Sequence, residues 1–141
     1  MTVLLHEDYI VERGDFKNAG KVSSTIKEKL KMIGIDAKIL RRISIACYEA
    51  EINMLIHAWG GDISMDVSDD GTVRFVFKDP GPGIPDLDDA MTPGYSTASD
   101  DAREMGFGAG MGLPNMKKYT DDMRIDTEVG VGTTITMRVN I

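Results

Sequence analysis

The sequence predicts an α+β domain: a mostly antiparallel sheet covered by helices on one face. Three observations predict it. Apolar residues recur every three or four positions over 17–33 and again over 36–59, as in amphipathic helices. Residues 62–68 and 133–141 alternate apolar and polar side chains, as half-buried strands do, and 72–78 reads as the hairpin partner of the first. The chain has 141 residues, 42% of them hydrophobic, which is one domain's worth with enough apolar material for a core.

The elements follow in order. Residues 3–13, VLLHEDYIVER, are rich in Val, Ile, Leu and Tyr and read as a strand closed by Gly14 and Asp15. Val22, Ile26, Leu30 and Ile33 form the apolar stripe of the first helix, and Gly34 stops it. Asp36 caps a second helix that carries Ile39, Ile43, Ala46, Ala50 and Met54 on one face; Gly60 and Gly61 end it. Ile63, Met65 and Val67 alternate with polar residues up to the turn Asp69-Asp70-Gly71, so 62–68 and 72–78 form a hairpin. DPGPGIPD at 79–86 cannot continue a strand, and 86–91 is expected to be a short helical turn. Residues 92–110 have no apolar period and read as one long loop, a lid or a disordered segment. Residues 111–120 read as a helix with Pro114 in its first turn. Met123, Ile125 and Thr127 then alternate with Arg124 and Asp126, 128–131 turn, and 133–141 is the last strand. The C-terminal half is thus expected to be a meander interrupted by a loop and a helix, with no internal repeat.

Composition excludes several functions. A net charge of −7 argues against general nucleic-acid binding, which needs basic patches. No apolar run approaches a membrane span, and the N-terminus lacks a signal-peptide pattern. One cysteine, Cys47, and two distant histidines, His6 and His57, make neither a disulfide framework nor a zinc site. A cytoplasmic protein is expected. Residues 21–42 depart from the acidic average, with seven Lys or Arg against two acids. They read as a solvated helix face or as a docking surface for an acidic partner.

Two groups of residues point to chemistry. Gly81 and Gly83 stand on one side of the long loop, and Gly106, Gly108, Gly110 and Gly112 on the other. Glycines let a backbone approach closely and leave amides free for phosphate, and the second cluster runs into a helix N-terminus. The alternative is a set of flexible turns. No GxxxxGK[ST] loop is present, and Met111 and Leu113 stand where GxGxxG needs its last glycine. On the second helix, Glu49, Asn53 and His57 stack at i, i+4, i+8 along the border of the apolar face. Asn offers a neutral oxygen to a hard cation, and Glu can take a proton from a nucleophile. A plain solvated helix face is the alternative.

Together, YEAEINMLIHA, DPGPGIPD, GFGAGMGL and GTTITM resemble, in order and spacing over 36–139, the boxes of the GHKL (Bergerat-fold) ATPases. The resemblance implies a single ATP-binding domain over 1–141, a two-layer α/β sandwich with ATP and Mg²⁺ as cofactors. It makes Glu49 the acidic position of the first box, a catalytic residue that orients or deprotonates the incoming hydroxyl, and Asn53 the Mg²⁺ ligand. It makes Asp79 the acceptor for the adenine amino group, with Gly81 and Gly83 beneath the base. Gly108, Gly110 and Gly112 fall where the lid closes on phosphates, and Thr133 or Thr134 supports adenine recognition. His57 falls on a variable position, so a hydrogen bond at the helix end is as good a role as ligand contact. Two features depart from the pattern. Pro80 occupies a slot often held by Glu or Asp, and Arg103 is the sole base in 92–110.

At 141 residues no sensor, dimerisation or transducer domain is expected. The chain is therefore most similar to the small bacterial anti-sigma-factor kinases, and IPDLDDAMTPGYST and GAGMGLPNMKKYTDD are closest to the stressosome switch kinases. This branch implies serine/threonine kinase activity on a STAS-domain, anti-anti-sigma-like partner. A sigma factor, a PP2C-type phosphatase and a homodimer are further associations it allows. The rival classes are a nucleotide-gated anti-sigma factor or phosphatase-activating module with little kinase activity, and a plain ATPase.

Overall fold

The structure is a computed structural model that describes residues 2–56, 59–84, 91 and 112–141. The elements are β1 (Val3–Glu12), α1 (Lys21–Met32), α2 (Ala37–Ile56), β2 (Gly60–Ser68), β3 (Thr72–Asp79), α3 (Gly112–Tyr119), β4 (Asp122–Glu128) and β5 (Gly132–Asn140). They build the expected α+β layers. The five strands pair antiparallel in the order β1-β2-β3-β5-β4. The short helical turn expected at 86–91 and the loop at 92–110 fall almost wholly outside the described residues, as do His57, Arg103, Gly106, Gly108 and Gly110.

Register builds the core. Tyr9, Ile63, Phe77, Ile135 and Ile125 are Cα partners in one row across all five strands. The neighbouring row runs Met65, Phe75, Met137 and Met123. Phe75, Phe77, Ile63, Met65 and Met137 are fully buried beneath Ile26 and Leu30 of α1, Ile43 and Ala50 of α2, and Met116 of α3. Burial of each large side chain contributes about 1.5–3 kcal/mol. The opposite face of the sheet carries His6, Asp8, Asp62, Arg74, Lys78, Arg124 and Arg138 among others, and the described helices leave it open.

Three local readings change. The first helix does not run from Lys17: a 3-10 turn covers Phe16–Asn18, and α1 starts at Lys21. Glu51 of α2 fixes that start. Its buried carboxylate accepts the backbone N–H groups of Gly20, Val22 and Ser23 at 3.0, 3.3 and 2.8 Å. Those amides have no partner within the helix, and an anion at a helix N-terminus is favoured. Gly60 and Gly61 belong to β2 rather than only ending α2. The C-terminal half is not a meander, because β5 lies between β3 and β4. The reason is apolar content. β5 buries Thr133, Ile135, Met137 and Val139, whereas the inward residues of β4 are only half-buried. The more apolar strand takes the interior position, and β4 becomes the edge. Asp36 caps α2 as expected, accepting the Lys38 N–H at 3.0 Å.

Candidate functional site

The site begins where the apolar rows of the sheet end. Two residues beyond Phe77, Ile135 and Ile125, the inward positions become Asp79, Thr133 and Thr127. These three are again cross-strand partners, Asp79 with Thr133 and Thr127 with Thr133. The core row is thus replaced at one end by a carboxylate and two hydroxyls.

This end is densely hydrogen-bonded. Asp79 Oδ1 accepts the Gly81 N–H at 2.8 Å, and the Thr133 N–H also stabilises the carboxylate. Burial holds the Asp79 carboxyl above the ordinary aspartate value, with the two backbone donors opposing that shift. Thr127 Oγ1 accepts the Ile84 N–H at 2.8 Å and lies 2.9 Å from Thr133 Oγ1. The Gly130 N–H donates to the Pro82 carbonyl at 2.9 Å. The 80–84 segment is thereby tied to β4, β5 and the turn between them. Gly83 is required in this packing. Its φ is +80°, and a Cβ there would lie 2.5 Å from the Glu128 carbonyl oxygen.

The second half of the site lies between α2 and α3. Glu49 and Asn53 are one turn apart on α2 and half-buried. Gly112 opens α3 directly against Asn53: a Cβ on Gly112 would sit 3.0 Å from Asn53 Oδ1 and 3.2 Å from Nδ2. Among the described residues the Asn53 carboxamide has no hydrogen-bond partner. Asn115, one turn into α3, donates to Glu49 Oε1 at 3.4 Å. Burial raises the Glu49 carboxyl above the ordinary glutamate value, and the Asn115 contact pulls it part of the way back. A carboxylate shifted toward neutrality is a better proton acceptor near physiological pH.

Glu49, Asn53 and Gly112 therefore come together, and Asp79, Gly81, Gly83 and Thr133 form a second group. Thr134 joins neither. It alternates onto the open face of the sheet, opposite Lys78 and Asp126, so of the two threonines only Thr133 shares a face with Asp79. The sequence places Thr127 on the inward face of its strand but does not mark it as part of the site. Its signal was parity: in β4 it continues the inward series Met123, Ile125 to the sheet's end. A hard cation fits the carboxamide oxygen of Asn53, which has no partner among the described residues, since Mg²⁺ takes few protein ligands and retains waters and phosphate oxygens. No cluster of three or more His, Cys, Asp or Glu that could hold a metal occurs among the described residues.

Comparison with known proteins agrees with this architecture. The family described as histidine kinase-like ATPase domain matches residues 14–139. The chain is 32% identical to the anti-sigma F factor of Geobacillus kaustophilus over 107 residues, covering 72% of this chain and 70% of that protein. It is also 32% identical to the serine/threonine-protein kinase RsbT of Bacillus subtilis over 108 residues, covering 74% and 75%. Among solved structures, the RsbU and RsbW domains of a Mycobacterium tuberculosis protein superpose with a TM-score of 0.68 at 19% identity, over 96% of this chain and 32% of that longer one. The Pseudomonas aeruginosa SiaB–SiaC complex contains a chain that matches with a TM-score of 0.57 at 10% identity, over 99% and 89%. The four boxes, the antiparallel sheet with helices on one face and these relatives agree: the chain belongs to the GHKL histidine kinase-like ATPase family, with the anti-sigma-factor kinases.

Proposed function

We propose that this protein is an ATP- and Mg²⁺-dependent serine/threonine protein kinase acting on a STAS-domain partner in bacterial sigma-factor control. The observation that carries the reading is the pair on α2: a half-buried carboxylate, Glu49, one turn from a carboxamide, Asn53, that has no hydrogen-bond partner among the described residues, both against the start of α3. The presence of both groups favours a competent kinase over a dead binding fold. The names of the relatives, a serine/threonine-protein kinase and anti-sigma F factors, support it.

In this reading Asp79 accepts the adenine amino group, with Gly81, Gly83 and Thr133 shaping the base pocket. Asn53 would hold Mg²⁺ and Gly112 would face the phosphates, with Gly108 and Gly110, outside the described residues, assigned to the phosphates by the motif alone. Bound Mg²⁺ supplies charge neutralisation on the phosphates. Glu49 orients the incoming Ser or Thr hydroxyl and takes its proton as the oxygen bonds to the γ-phosphorus and ADP leaves. Catalysis of this kind is positioning plus electrostatics.

The test is transfer of labelled γ-phosphate to a co-encoded STAS-domain protein. Label on a serine or threonine of that protein is expected. ATP and ADP binding with no transfer would contradict the kinase reading. It would favour the rival reading of a nucleotide-gated anti-sigma factor, for which the anti-sigma F names of several relatives speak.

A further inference from the structure

The basic segment flagged in the sequence is unexplained by the nucleotide site. Residues 21–42 hold seven bases and two acids, which leaves nine bases against 21 acids in the rest of the chain. The structure sorts these bases. Lys29 is held by Glu7 of β1 at 2.5 Å, and Arg42 by Asp121 at 3.3 Å. Lys21, Lys27, Lys31, Lys38 and Arg41 are exposed and, among the described residues, in no ion pair; Lys21 stands at the start of α1 and the other four run away from it.

Their placement is directional. α1 and α2 run antiparallel, since Glu51 near the end of α2 meets the start of α1. Between their outer sides lies a groove of 480 Å³, lined among others by Ser24 and Lys27 of α1 and Ser44, Ile45, Tyr48 and Glu49 of α2. Lys31 is one turn beyond Lys27, and Arg41 one turn before Ser44 and Ile45, so both extend the groove away from Glu49. One end of the groove is therefore the half-buried Glu49 carboxylate. The other end is cationic.

We propose that this groove is the docking surface for the protein substrate, and that the partner presents an acidic patch to Lys27, Lys31 and Arg41 while its acceptor hydroxyl reaches Glu49. The inference rests on the kinase reading for the role of Glu49; the charge argument for docking stands without it. Arg41 and Glu49 are eight residues apart on α2, about 12 Å of helix. The partner's acidic groups accordingly lie about 12 Å from its acceptor, a span of about four extended residues. The exposed Tyr48 and half-buried Ile45 offer apolar contact midway. On a chain of net charge −7, a local basic groove attracts an acidic partner that the remaining surface repels.

The experiment is calorimetric titration of the co-encoded STAS-domain protein into the kinase with Mg²⁺ and ADP present, at two salt concentrations. The variant is Lys27→Glu with Arg41→Glu. The control, Arg74→Glu with Lys78→Glu, makes the same charge change on the open face of the sheet. The groove variant should bind about 30-fold or more weakly and lose most of the salt dependence, and the control should stay within about threefold. ADP affinity should be unchanged in both, which also reports an intact fold. Groove-variant binding within about threefold of wild type, or weakened no more than the control, overturns the proposal, as does failure of the wild type to bind. Labelled ATP in parallel samples separates the two readings. Wild-type binding with no transfer sinks the kinase while leaving the docking surface. Transfer that is indifferent to the groove charges sinks the docking surface while leaving the kinase.

Discussion

The two halves of the site are built in opposite ways. At the sheet end, Asp79, Thr133, Thr127 and the 80–84 segment satisfy one another through short hydrogen bonds, four of them between 2.8 and 2.9 Å. Between α2 and α3, the described polar groups have one long contact, Asn115 to Glu49 at 3.4 Å, and an Asn53 carboxamide without a partner. The first half is held by its own hydrogen bonds, which is consistent with the proposed recognition of a rigid base. Among the described residues the second has fewer partners, which is consistent with the proposed roles of its groups at a metal, a phosphate and a hydroxyl. Recognition and chemistry should therefore separate under mutation.

The largest expected effect is at Asn53. Asn53→Ala should lose Mg²⁺-dependent triphosphate affinity and lower transfer by about 10³-fold, because a charge-stabilising group is removed from the reacting phosphate. Titration with a non-hydrolysable ATP analogue, with and without Mg²⁺, checks the affinity; an unchanged Mg²⁺ dependence would place the metal elsewhere. At the recognition half, Asp79→Asn should weaken ADP binding by about 10- to 100-fold through loss of a charged acceptor for a buried donor. Calorimetry reads this directly, and unchanged affinity would remove Asp79 from the adenine site.

Much of this was legible in the sequence. The alternation of Ile63, Met65 and Val67, and of Ile135, Met137 and Val139, placed β2 and β5, and the capping Asp36 placed the start of α2. The strand order was not legible, because alternation reports which face is buried and not which neighbour covers each edge. Glu51 was passed over, yet it carried a signal. It stands one turn from both Cys47 and Leu55 on the apolar stripe, where a carboxylate must find donors. Its donors are backbone amides, which have no side-chain signature. The alternation places Thr127 inward, but its part in the site is not legible, because the group it accepts from is the backbone N–H of Ile84, 43 residues away and without a side-chain signature.

Smaller effects sharpen the contrast. Thr127→Val keeps the shape but removes the acceptor for the Ile84 N–H and the Thr133 contact. It should cost about 1–2 kcal/mol of stability by denaturant unfolding, with a few-fold loss of ADP affinity. Full ADP affinity in that variant would show that the 80–84 segment does not shape the base pocket. The smallest effect concerns Glu49 and pH. Its carboxyl is held above the ordinary value by burial, so the folded state binds its proton more tightly than the unfolded state. The stability it contributes is complete below the ordinary glutamate value and lost as pH rises through the raised one. Glu49→Gln should melt slightly above wild type at neutral pH, with the gap closing in acid. A gap that widens in acid would mean that the carboxylate is favourably paired.

The separation of recognition from chemistry is tested most directly by Glu49→Gln, with ADP titration and labelled γ-phosphate transfer run on the same preparation. The variant keeps the size and hydrogen-bonding capacity of Glu49 and removes only the carboxylate. ADP affinity within a few fold of wild type and transfer to the STAS-domain protein lowered by about 10²-fold or more is the predicted result. Transfer at the wild-type rate would contradict it, leaving Glu49 as a structural residue between α2 and α3 and the nucleotide-gated binding module as the better account.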